Sequence, residues 1–471
     1  MSRANRLQSL TELMEDLEAG RISSVEATEA SLRRTEAWQP HINAFVAVDG
    51  DKAVDAARAA DAARAAGATG PLLGAPLAHK DMFLRKGERS TGGSAILADI
   101  VGDDDATVIA RLRDAGAIEI GRLNMSEFAA GPTGHNAHFG HARNPWNPDH
   151  ITGGSSSGSG AATAAGCVYA ALGSDTGGSI RLPAIMCGLF GLKPTYGRVS
   201  RYGAMPRAWS LDTVGPLARS AADAALIHSV IAGHDPKDPT TSRRPVPDWR
   251  GLIDRPIKGL RLGRVTGEPF GPVDPETAAA HEAALKTFAS LGAEIVDVSL
   301  PDCRPLYSAA DAISKSEAAA LHGAWMRDRP QDYAVHVYSR TEAGFAIPAT
   351  VYLQAQAARG KVVRDFCAKA FGRADAILAP SITMPVPSIA ETDEGEPGAI
   401  LDMVAGITKA TRPFNYLGLP GLATPLGLSS KGLPLSCQLI ARPFAERTLL
   451  SLGHAFEQTS DVAGAAPATP G

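Results

Sequence analysis

Gly153-Gly154-Ser155-Ser156-Ser157-Gly158-Ser159 and Asp175-Thr176-Gly177-Gly178-Ser179-Ile180-Arg181 bracket an apolar, small-residue run at 161–172. Two polar Gly/Ser loops thus enclose one buried segment. Glycine lets the backbone take positive φ and approach a ligand closely. Serine supplies hydroxyls that serve as nucleophile, proton relay or plain loop filler. A flexible linker would run on into polar sequence. Here Ser157 leads into Gly158, Ala161, Ala162, Ala164 and Ala165, the pattern of a short, closely packed helix ending near Gly166. Residues 168–173 read as a buried strand, and a Gly-rich turn follows it; such a turn aims backbone N–H groups at an anion. Upstream, Gly74-Ala75-Pro76-Leu77-Ala78-His79-Lys80-Asp81-Met82-Phe83 holds a lone lysine after a predicted strand. Among Leu77, Met82 and Phe83, Lys80 is a candidate for desolvation and a lowered pKa.

Lys80 and the two Gly/Ser loops resemble, in order and spacing, the amidase signature family. Gly188-Leu189-Phe190-Gly191-Leu192-Lys193-Pro194-Thr195 and Leu211-Asp212-Thr213-Val214-Gly215-Pro216 extend the resemblance, which runs over about residues 7–458. It implies an α/β fold with a large mixed central β-sheet flanked by helices on both faces. It also implies a Ser–cis-Ser–Lys triad: Ser179 as nucleophile, Ser155 as the bridging serine after a cis peptide bond, and Lys80 as base. Thr176, Gly177, Gly178 and Ser179 would offer backbone N–H groups as the oxyanion hole. Gly153, Gly154, Asp175 and Arg181 would support the loops, with contact to an anionic substrate as a second possibility for Arg181.

A serine hydroxyl is a poor nucleophile until a base takes its proton, and a neutral lysine can do so. Bringing a lysine from about 10.4 to about 7–8 requires roughly 3–5 kcal/mol of selective destabilisation of its charged form. Burial beside neutral hydroxyls supplies an effect of that kind. The expected reaction is hydrolysis of a carboxamide, or a related carbamate, urea or ester, through an acyl-enzyme on Ser179, with no metal or organic cofactor. His79 beside the base is an open question, since an imidazole there alters the lysine pKa in either direction.

The chain of 471 residues is 44% apolar and 20% charged, with a formal net charge of −4. That is ordinary globular composition, and the absence of a long basic run disfavours nucleic acid or an anionic membrane as the main partner. The expected partners are a small-molecule amide and water, with no nucleic acid, no membrane and a possible homodimer. Residues 1–6 are polar and lead into no apolar core of a signal peptide. Five scattered cysteines lack C-x-x-C spacing and read as reduced thiols of a cytoplasmic protein.

Along the chain, Leu7, Leu10, Leu13, Met14 and Leu17 repeat at helical spacing, and Ser23 with Glu26 forms a capping box for a second helix. Residues 107–115 and 117–121 give a helix and strand of a crossover unit, and the pattern resumes at 260–300 after a proline-rich surface crossing. Residues 196–216 read as loop, and 414–420 as one of the strands closing the sheet. The expected organisation is one domain over residues 1–462, with a mostly helical cleft region at about 303–370 and a disordered tail at 463–471. Met125, Phe128, Thr133, Phe414 and Tyr416 are the predicted pocket walls. Asp103-Asp104-Asp105 reads as a solvated turn. His135, His138 and His141 lie among Gly, Asn and Pro, and read as a polar cleft loop ahead of a metal site.

Two further readings use the same residues. Gly154-Ser155-Ser156-Ser157-Gly158 satisfies G-x-S-x-G, with Ser156 as nucleophile, but residues 147–150 make a poor preceding strand. The family resemblance also includes the glutaminase subunit of a tRNA-dependent amidotransferase, which passes ammonia to a partner. The Gly131-Pro132-Thr133-Gly134-His135-Asn136 loop looks more like stand-alone bacterial amidases.

Overall fold

The computed structural model describes residues 6–393, 397–459 and 465–470. Its strands are β1 (Phe45–Val48), β2 (Pro76–Lys80), β3 (Ile118–Leu123), β4 (Arg143–Asn144), β5 (Asn147–Ile151), β6 (Ala170–Asp175), β7 (Phe190–Lys193), β8 (Thr213–Ala218), β9 (Arg261–Thr266), β10 (Glu294–Ser299), β11 (Ala376–Pro380), β12 (Gly421–Leu428) and β13 (Pro434–Ala441). Eleven of them form one mixed sheet in the order β1-β3-β2-β6-β8-β7-β12-β13-β11-β9-β10, while β4 and β5 pair apart from it. The pairs β2–β3, β2–β6, β9–β10 and β9–β11 are parallel; the strands between the two wings run antiparallel.

Each parallel wing is a strand–helix–strand unit of the expected kind. In one, Thr107–Asp114 is the helix that leads into β3; in the other, Pro275–Ser290 joins β9 to β10. Side-chain alternation then separates the cores. Leu77 of β2 enters one hydrophobic cluster and Ala78 another; in β11, Ile377 and Leu378 divide in the same way. Helices therefore cover both faces, as expected of this fold class.

Local signals place the outer helices. Ser9 with Glu12 and Ser23 with Glu26 complete capping boxes, and Asp274 caps the helix that opens with Pro275.

Three local expectations are corrected. Strands β7 and β8 lie at the centre of the sheet, where the sequence reading assigned no element to 190–193 and gave loop for 196–216, the stretch that holds the start of β8. Their Gly191, Gly215 and Pro216 weaken any strand signal, yet a Cβ on Gly215 would lie 2.1 Å from the Leu192 carbonyl oxygen, so this close strand pairing requires glycine. Residues 414–420 contribute no strand: Arg412–Tyr416 is a short helix. Residues 147–150 do lie in a strand, β5, but outside the main sheet. Of the expected disordered tail, residues 463–464 and 471 lie outside the described residues, while Ala465 forms an antiparallel bridge to Arg6.

Candidate active site

Lys80 is the last residue of β2 and is fully buried. Its Nζ donates to Ser155 Oγ at 2.7 Å and to Ser174 Oγ at 2.9 Å. Burial lowers its pKa to about 7, against the weaker pull of the Asp212 and Asp175 carboxylates. The Gly154–Ser155 peptide bond is cis. The loop around it is tightly enclosed: a Cβ on Gly154 would lie 2.5 Å from the Gly131 carbonyl oxygen and 2.7 Å from the Gly134 nitrogen.

Ser179 follows β6 by four residues and borders a cleft of about 190 Å³ together with Thr176 and Gly177. Among the described residues its Oγ has no hydrogen-bond partner, so the structure joins Lys80 to Ser155 and leaves the Ser155–Ser179 link unclosed. Such links often tighten only when substrate binds. Ser174 is a polar contact of Lys80 that sequence reading missed; its only signal was its place at the end of β6, beside the Asp175 turn.

Asp175 organises the turn. Its carboxylate accepts from the backbone N–H of Gly178 at 2.8 Å, Ile180 at 3.3 Å and Arg181 at 3.4 Å. Burial raises its pKa, but the Arg181 guanidinium outweighs that and the group ends at about 2. The expected four-donor oxyanion hole is therefore corrected: the Gly178 N–H is already engaged, and Thr176, Gly177 and Ser179 keep theirs without a backbone partner among the described residues. Gly178 has φ +133°, and a Cβ there would lie 2.5 Å from Thr411 Oγ1, so glycine is required at this position.

Arg181 is fully buried, and its guanidinium is shared among Asp175, Gln438, Asn415 and the Thr411 carbonyl. That excludes the second expectation, contact with an anionic substrate. Removing one member of a buried ion pair typically costs about 3–5 kcal/mol. Arg181→Met is expected to lose about that much unfolding free energy in a denaturant titration; an unchanged midpoint would show that the pair does not hold the turn.

The five predicted pocket residues do not line this cleft. Met125 is buried, and Phe128 packs on His322 and Tyr333. Thr133 is buried behind the wall; Phe414 packs on Phe270 and Phe366, and the Tyr416 hydroxyl donates to the Ala355 carbonyl. Phe128, Phe414 and Tyr416 were claimed by the core, and the apolar lining of the cleft comes from Leu401, Val404 and Ala405 instead. The wall is built from residues 129–132, Thr176, Gly177, Ser179 and Arg207, from Tyr307, Asp311, Ser314, Lys315 and Arg340, and from Leu401, Val404, Ala405, Thr408 and Arg412. Positions 307, 311, 314 and 315 share one face of the helix Arg304–Asp328, a spacing the sequence displayed.

The remaining candidates have local partners. The His79 Nδ1 accepts from the Leu172 N–H at 3.1 Å. Burial lowers its pKa to about 4, and it lies on the opposite side of β2 from Lys80. Ser156 is buried, with its Oγ 3.3 Å from the Ser174 nitrogen and 3.4 Å from its carbonyl oxygen, which removes it as an exposed nucleophile. His135 meets Thr392, His138 meets Glu127 and His141 meets the Asn136 N–H. Asp104 pairs with Lys237, and Asp105 with Arg113.

The family model described as Amidase matches residues 26–450. The chain belongs to the amidase family. Among its similar relatives is a glutamyl-tRNA(Gln) amidotransferase subunit from Geobacter metallireducens, which is 42% identical over 96% of this chain and 97% of the relative. A solved structure described as a vestigial protein complex revealing the origins of an s-triazine catabolic enzyme superposes with TM-score 0.89. It is 37% identical and covers 96% of this chain and 99% of that one. The corresponding glutamyl-tRNA(Gln) amidotransferase subunit from Thermotoga maritima superposes with TM-score 0.81 at 30% identity, covering 98% of each chain. This amidase-family chain is thus a C–N hydrolase by membership. The relatives overturn the expected partner list of a small-molecule amide and water, no nucleic acid and a possible homodimer: by name they are subunits of an enzyme whose name contains a tRNA. Among the described residues no helix is long and apolar enough to cross a membrane.

Proposed function

We propose that this chain hydrolyses a carboxamide through an acyl-enzyme on Ser179 and acts in the cytoplasm as the ammonia-releasing subunit of an amidotransferase assembly that uses tRNA. The observation that carries the assembly reading is similarity to one such amidotransferase component over nearly the whole of both chains. In this scheme Ser179 Oγ attacks the carbonyl carbon, and its proton passes through Ser155 to neutral Lys80. The N–H groups of Thr176, Gly177 and Ser179 face the developing oxyanion. The protonated lysine returns the proton, through Ser155, to the leaving nitrogen; the C–N bond breaks and ammonia departs. Water then attacks the ester by the same relay and releases the acid.

Intact mass and peptide mapping after a fluorophosphonate probe test the covalent step: one adduct on Ser179 is expected, and an adduct on Ser156 would remove the assignment. The assembly is tested by adding the companion subunits of a glutamyl-tRNA(Gln) amidotransferase together with glutamyl-tRNA(Gln). Ammonia release from glutamine is expected to rise at least about tenfold, with amidated tRNA formed. A rate indifferent to these additions, with no amidated tRNA, would sink the assembly reading.

A further inference from the structure

A basic surface lies outside the cleft, where the proline-rich crossing at 239–256 packs on residues 442–448, which lead from β13 into the helix Glu446–Glu457. The Arg244 guanidinium lies over the Phe444 ring at 4.5 Å, Arg255 Nη1 donates to Thr448 Oγ1 at 3.1 Å, and Arg447 pairs with Asp254 at 3.5 Å. Ser451 Oγ donates to the Leu252 carbonyl at 3.1 Å, which holds the short helix Trp249–Ile253, and with it Arg250, beside them. Arg243, Arg244, Arg250, Arg255, Arg442 and Arg447 are all exposed. The acids within these two segments are engaged. Asp254 pairs with Arg447, Asp248 accepts from the Gly251 N–H at 2.7 Å, and the buried Glu446 accepts from the Thr195 N–H at 2.9 Å. A chain whose net charge is −4 thus gathers arginine at one place on its surface.

Rings, more than carboxylates, hold these side chains. Arg244 and Arg198 both lie against Phe444, the second at 5.8 Å; Arg250 lies over Trp249 at 4.4 Å and Arg442 over Phe371 at 5.6 Å. The Arg244 and Arg250 side chains have no hydrogen-bond acceptor among the described residues. A ring takes one flat face of a guanidinium, limits its motion and leaves the N–H edge to solvent. That edge matches a phosphate, and the other flat face is open to stack on a base. Strand β13 also runs parallel to β2 and β6, so Arg442 and Lys80 mark the same end of the sheet.

We propose that this surface docks RNA, with its arginines on backbone phosphates and its ring-backed guanidinium groups against an unpaired base. The proposal deepens the assembly reading by giving the tRNA a place on this subunit, and it uses no step at Ser179. An acidic protein would engage the N–H edges alone and leave the flat faces idle.

Fluorescence anisotropy of a labelled tRNA(Gln) transcript titrated with the full chain tests the surface. Binding is expected at about 50 mM salt, weakening at least about tenfold by about 200 mM. R244Q/R250Q/R447Q should bind at least about tenfold more weakly at the lower salt, with a log–log salt slope shallower by about 2. Its Ser179 should take the fluorophosphonate probe as the parent does, which separates a lost surface from a lost fold. R244K/R250K/R447K should keep the slope while losing part of the affinity, because lysine keeps the charge and not the planar stack. No binding at the lower salt, or equal binding by the glutamine variant, overturns the proposal. So does a glutamine variant that keeps the tRNA and loses the companion subunits, which would make this face a protein interface. Binding of tRNA alongside ammonia release indifferent to the companion subunits would remove the assembly reading and leave the surface standing.

Discussion

Ser179→Ala is expected to lower kcat by at least about 10⁴-fold on any amide that the protein turns over, with its unfolding midpoint close to that of the parent. The magnitude follows from removing the bond-forming atom of a group that acts as a unit, where loss of a single member abolishes nearly all of the covalent route. The fold should tolerate the change because Ser179 Oγ faces the cleft and holds no partner among the described residues. Rate measurements combined with thermal unfolding check both halves. A variant that retains more than about a tenth of parental kcat would refute the nucleophile assignment.

Lys80→Met is the second large effect, and pH distinguishes its role from a structural one. The proposed base must be neutral, and its pKa in the folded protein is about 7 because burial disfavours the ammonium. The kcat/KM of the parent should therefore rise about tenfold per pH unit below that value and level off above it. Lys80→Met should lose at least about 10⁴-fold and also lose the limb. Stability carries the same sign. The unfolded lysine titrates near 10.5 and the folded one near 7, so between those values the unfolded chain binds the extra proton and stability rises with pH; below about 7 both states are charged and that gain is absent. Lys193 is also buried, with burial lowering it to about 7, and adds to this trend in stability. Its Nζ donates to the Pro194 carbonyl, so the kinetic limb should persist in Lys193→Met. A flat rate profile in the parent would exclude Lys80 as the base.

Lys80, Ser155 and Ser179 were easier to single out from the sequence than the cleft walls. Lys80, Ser155 and Ser179 lie in long motifs whose glycines and serines have local structural meaning, and the crossover units around them follow from helical and strand periodicity. The cleft residues escaped because they reach it from distant elements: Arg207 from the loop before β8, Arg340 from the helix Val335–Glu342, and Arg412 from the start of a short helix whose remainder, from Phe414, was read as a strand. Composition also pointed the wrong way, since a net charge of −4 conceals a local concentration of arginine. The central strands β7 and β8 were obscured by the glycines and proline that their close pairing accommodates.

Asp175 ties the reactive turn to the sheet through three backbone N–H groups and the buried Arg181, so that half of the cleft is set by the protein's own core. The opposite wall is drawn from the helices Arg304–Asp328 and Val335–Glu342 and from residues 401–412. The two halves can therefore diverge at different rates. A lineage can exchange the helical wall, and with it the compound accepted, without rebuilding the machinery that breaks the bond. For redesign, a library at positions 307, 311, 314, 315, 340, 401, 404, 405, 408 and 412 varies the wall, whereas substitutions at Asp175, Gly178 and Arg181 are expected to cost stability.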